Sequence, residues 1–167
     1  MKASILPIAL LFAGSAISSG AIACTTYPPM REVPASDLVR NADLVAIVHV
    51  EKIVPMSAVE EAELQRLMTD PPLNTPIRLP GPSARFSAIR ILKGKLPEAS
   101  LLRSGPTSCD VVLTEGSDYV LFARSPDIPG GQIVPLYGTF PLGADPQAKA
   151  KLAEVESILN PPNPTRP

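Results

Sequence analysis

Apolar and polar residues alternate most clearly between positions 43 and 54. Leu44, Ala46, Val48 and Val50 fall on one face; Val45, Ile47 and His49 fall on the other. A period of two with dense β-branched residues predicts a strand, and apolar residues on both faces predict a central, curved one. Arg85 to Leu92 repeats the pattern, with Phe86, Ala88 and Ile91 or Leu92 apolar and Ser87 and Arg90 interleaved. Tyr119 to Ala123 is the most apolar strand, and Ala99 to Arg103 and Gln132 to Leu136 are shorter ones. Lys93-Gly94-Lys95, Gly116-Ser117-Asp118 and Pro129-Gly130-Gly131 lie between them as turns.

Helical spacing is found in three places. Ser36 is the expected N-cap of a short helix over Asp37 to Asn41, with Leu38 and Val39 facing inward. Ala58 to Met68 carries Leu64, Leu67 and Met68 on one stripe and Glu60, Glu61, Glu63 and Arg66 towards solvent. Asp145 is the expected N-cap of the last helix, with Pro146 at its first position. Ala148, Leu152, Val155 and Leu159 form its buried stripe over Gln147 to Leu159, with Lys149, Lys151, Glu154 and Glu156 outside it. The middle helix belongs to an insertion, residues 55–83, ended by a proline-punctuated loop containing Pro76, Pro80 and Pro82. Five strands with a helix near each end predict a mainly β domain. The natural candidate is a five-stranded Greek-key barrel of the OB type, with a short N-terminal helix and a C-terminal helix. Closure would remove the edges that an open sheet exposes.

The start of the chain changes the picture from fold to compartment. Lys2, the apolar run Ile5 to Ala13 and the small residues leading to Ala21-Ile22-Ala23 make residues 1–23 a signal peptide. The apolar run is too short to span a bilayer, which takes about 20 apolar residues, although an uncleaved N-terminal anchor is an alternative. Cleavage leaves Cys24 as the first residue of a chain of 144 residues (167 − 23), enough for one domain over 24–160 with a core. Residues 161–167 form a proline-rich tail expected to be disordered. The expected location is secreted or periplasmic. Lipidation of Cys24 is the alternative, although Ala21 stands where such a signal usually carries Leu.

The chain has only two cysteines, and in an exported protein Cys24 and Cys109 are expected to pair. That bond would close a loop of 85 residues (109 − 24). It would stabilise the fold by about 4 kcal/mol in the chain-entropy model. Two free thiols remain the alternative. A formal net charge of −1 gives no basic face for nucleic acid. No second histidine, Cys-x-x-Cys pair or glycine-rich phosphate loop accompanies His49, the one histidine. It reads as a polar strand residue rather than a metal ligand or general base, so neither an enzyme nor a cofactor is expected.

The order of features resembles the netrin-like module, the N-terminal domain of tissue inhibitors of metalloproteinases, and related exported bacterial domains. The matching pieces begin with Cys24-Thr25, Pro28-Pro29 and Ala42 to Val45. They continue through Phe86 to Gly94, Cys109 ahead of Gly116 to Ala123, and Gly138 to Leu142 before the last helix. The resemblance implies an OB-type barrel and a Cys24–Cys109 bond. In the inhibitors the N-terminal amine and carbonyl, here those of Cys24, chelate the catalytic zinc of a target protease. The next side chain, here Thr25, enters the specificity pocket. The implied contact ridge is thus Cys24, Thr25, Thr26 and Tyr27. The sequence departs from the family at both halves of one disulfide, with Thr26 and Tyr137 where the family has cysteines. The ridge would be clamped once rather than twice, which weakens the case for tight inhibition. The expected function is therefore a monomeric exported module that binds a protein partner, with zinc-metalloprotease inhibition as the alternative.

Overall fold

A computed structural model describes residues 32–73, 79–97, 101–105, 110–126 and 130–161. The signal-like segment, the ridge Cys24 to Tyr27, Cys109 and residues 162–167 lie outside the described residues. In chain order the elements are α1 (Ala35–Asn41), β1 (Leu44–Val54), α2 (Ala58–Thr69), β2 (Ser83–Lys93), β3 (Leu102–Arg103), β4 (Asp118–Arg124), β5 (Val134–Pro135), β6 (Phe140–Pro141) and α3 (Pro146–Leu159).

The strands form a nearly closed five-stranded barrel in the order β3-β2-β1-β4-β5, with β6 attached to the side of β4. Neighbours along that path are antiparallel. The ends meet through a parallel bridge between Leu102 and Ile133. There Ile133 N–H donates to the Leu101 carbonyl at 2.8 Å and Arg103 N–H donates to the Ile133 carbonyl at 2.9 Å. β1 pairs with β2 on one side and β4 on the other, so it is the central strand. Three register shifts along its pairing with β2 supply the bending that closure requires.

The alternation in β1 separates two apolar clusters. Leu44, Ala46, Val48 and Val50 point into the barrel, beside Ala84, Leu102, Leu121 and Ile133. Val45 points outward, with Val120 and Phe122 of β4, under Leu38 and Val39 of α1 and Val155 of α3. One end of the barrel is closed by residues 110–117: Gly116 N–H donates to the Val50 carbonyl and Val50 N–H to the Ser117 carbonyl. Tyr119 anchors this cap, its hydroxyl accepting the Thr114 N–H at 3.0 Å.

Several boundaries differ from the sequence expectation. Ser36 does not cap α1; Pro34 holds that position, its carbonyl accepting from Asp37 and Leu38 N–H. The cause is packing: Ala35 is as buried as Leu38, so the helix begins early enough to turn Ala35 inward. β2 begins at Ser83, which is buried in the barrel wall, and not at Arg85. The insertion therefore ends one residue sooner. In α2 only Leu67 is buried; Met68 is 63% exposed rather than part of an inner stripe. This helix makes at most marginal contact with the other described elements. It is instead held locally by a capping box, in which Ser57 Oγ and the Glu60 carboxylate each satisfy the other's backbone N–H.

Two contacts lock α1 to the barrel. Lys93 Nζ at the end of β2 donates to the Val39 and Ala42 carbonyls at 2.7 and 2.6 Å. It supplies hydrogen-bond donors and positive charge where a helix end lacks both. Gly94 follows with φ 80°, and a Cβ there would lie 2.1 Å from the Asp43 carbonyl oxygen. Only glycine fits that close approach of the β2 turn to the start of β1.

Candidate functional site

Two places on the described surface gather groups capable of chemistry. The first lies on the outer face of the sheet, across three strands. His49 of β1 is in register with Ser87 of β2 and with Asp118 of β4. Its Nδ1 lies 2.6 Å from Asp118 Oδ1. The order of residue types is that of a nucleophile, base and orienting acid. The setting is different: the histidine and aspartate side chains are 41% and 42% exposed. No hydrogen bond joins Ser87 to the ring among the described residues. An exposed pair of this kind fixes the histidine's orientation and adds little to stability, roughly 0–1 kcal/mol. The sequence reading of His49 as a strand residue missed its partner, because 69 positions separate the two and no local signal marks the pairing.

The second is a groove of about 580 Å3 between the approach to α1, β6 and α3. Val33 and Pro34 form one wall, Phe140 and Pro141 the floor, and Ala148 and Lys151 the opposite side. Lys151 Nζ stands 5.1 Å over the Phe140 ring and 3.4 Å from Glu32 Oε1. A cation over an aromatic face gains from the ring quadrupole, so this ammonium is held in place rather than left swinging in solvent. Glu32, Asp145 and Glu154 put three carboxylates around the groove. Asp145 is also the N-cap of α3, as its sequence position predicts, accepting the Gln147 N–H at 2.9 Å.

On α2, hydrogen bonds from Ser57 hold the Glu60 carboxyl below its ordinary value, the backbone one first. The Arg66 guanidinium does the same for Glu63 by hydrogen bonding. Both carboxylates face solvent and serve the helix, so this acidic patch is a capping and pairing device.

The ridge residues Cys24, Thr25, Thr26 and Tyr27, and the second cysteine, Cys109, lie outside the described residues. Among the described residues no group of three or more histidine, cysteine or acidic side chains could hold a metal ion. No described helix is long and apolar enough to cross a membrane. A scan of protein-family models and a search of curated proteins gave no match to this chain.

Proposed function

We propose that the chain is an exported protein-interaction module whose contact strip is its processed N-terminus, Cys24 to Tyr27, tied to the barrel by a bond to Cys109. What supports this reading is the nearly closed five-stranded barrel flanked by α1 and α3. Such a barrel is compatible with the OB-type fold that the resemblance to netrin-like domains implies. The protein would act outside the cytoplasm, with the Cys24 sulfur in its bond to Cys109 rather than carrying a lipid, and without a cofactor. The test is affinity capture from envelope extract with the processed protein and with Thr25→Arg. A partner held by the first and lost by the second agrees with the strip as contact surface. A partner retained equally by both removes the strip from the contact.

A second reading, inhibition of a zinc metalloprotease, is favoured by the cysteine placed directly after Ala21-Ile22-Ala23. A freed α-amine has a pKa near about 8, and zinc would draw out its lone pair by displacing the proton. Catalytic zinc keeps a coordination position open for such a ligand. Micromolar processed protein should then slow a zinc protease, and acetylating the amine should abolish the effect. An unchanged rate across a panel of such enzymes rejects this reading.

A further inference from the structure

Pairing between β1 and β2 sets Lys52 directly opposite Arg85, and Ser87 opposite His49. Ala84 and Phe86 pack into the barrel, so the alternating residues Arg85 and Ser87 point outward. Lys52 shares that outer face, because the register shift after Val50 absorbs Glu51. We propose that this face of β1 and β2 binds a tetrahedral oxyanion, a phosphate or phosphomonoester, between Lys52, Arg85 and Ser87. The inference goes beyond the proposed function, since it needs neither the N-terminal strip nor a protein partner.

Charge and register carry it. Like charges directly opposite one another on a sheet destabilise it, and here an ammonium and a guanidinium stand side by side on exposed residues. The neighbouring charges on the same face are matched, Arg90 with Glu156 and His49 with Asp118. Glu115, beside the end of β1, accepts the Ile53 N–H. Among the described residues Lys52 and Arg85 have no ion-pair partner, and the Ser87 hydroxyl has no hydrogen bond. A phosphomonoester carries about two negative charges at pH 7, so it removes the repulsion that the fold leaves in place. The guanidinium presents a planar fork to two of its oxygens, and the ammonium a point charge to a third. Ser87 adds a hydroxyl donor one side-chain repeat, about 7 Å, along the strand from Arg85. Two cations on a solvated face hold such an anion with about millimolar affinity.

Amide NMR of the exported protein, titrated with inorganic phosphate at constant ionic strength, tests it. The expected result is a saturable shift of the Lys52, Arg85 and Ser87 amides with a midpoint of about 1 mM. Lys52→Gln and Arg85→Gln should each weaken binding about tenfold, while Lys149→Gln on α3 should leave it within about twofold. Neither of the first two variants should lower the thermal midpoint without phosphate, since each removes a repulsion; a fall would assign the pair to the fold and overturn the proposal. Vesicles of phosphatidylcholine with and without phosphatidate distinguish the source of the phosphate. Retention only with phosphatidate, lost in Lys52→Gln, assigns a lipid headgroup; saturation by phosphate without retention assigns a soluble phosphate. Shifts that rise linearly with phosphate together with no retention, or binding of either probe that both variants leave unchanged, would overturn the proposal.

Discussion

Replacing Lys93 by methionine removes one ammonium and keeps most of the aliphatic stem. The ammonium donates to two carbonyls at the C-terminal end of α1, Val39 at 2.7 Å and Ala42 at 2.6 Å. Hydrogen bonds to charged groups contribute about 1.5–3 kcal/mol each. Water can reach part of this end of the helix after the change and recover some of that, so the net loss is roughly 2–3 kcal/mol. A helix of seven residues has no stability of its own and depends on such tertiary contacts. For a domain of this size that loss lowers the thermal midpoint by about 6–10 °C. The assay is thermal unfolding by circular dichroism, with Arg40→Ala as the control. Arg40 forms only an exposed pair with Asp37, 2.6 Å away, and its removal should shift the midpoint by no more than about 2 °C. A Lys93→Met midpoint within 1 °C of the native one would refute the reasoning.

Four further outcomes follow from the same geometry. Gly94→Ala should destabilise by at least about 2 kcal/mol, measured by urea denaturation, because it combines positive φ with a blocked Cβ position. Phe122→Ala, which empties a fully buried site between the barrel and its helices, should lose about 3–5 kcal/mol in the same assay. His49→Ala should leave the midpoint within about 3 °C, since its pair with Asp118 is half exposed. The folded-state pKa of Glu60 is depressed from 4.5, so its contribution is present above that value and lost as pH falls through the folded one. The start of α2 should therefore fray below about pH 4.5, and Ser57→Ala should already be frayed at pH 7 by amide exchange.

The long strands were legible because their pattern is forced. β1 must put one face in the barrel and the other under two helices, and its paired apolar faces record that. The α3 stripe was legible for the same reason, with Ala148 and Val155 buried at the expected turns. β5 and β6 were harder, since each is two residues long and rests on partners far away in the chain. β6 gave no strand pattern at all. Met68 misled because a helical stripe implies a partner surface, and α2 has almost none. Lys93 carried no signal either: a cation at the end of a strand reads as solvated until α1 is folded over it. The groove could not be read from sequence because its walls come from three separate segments.

The most direct test of the stapled N-terminus is intact mass spectrometry of the exported protein before and after reduction. The expected result is a chain beginning at Cys24, about two daltons lighter before reduction, with one hydrogen lost from each of Cys24 and Cys109. An unprocessed chain, a lipid on the Cys24 sulfur, or two free thiols would contradict it.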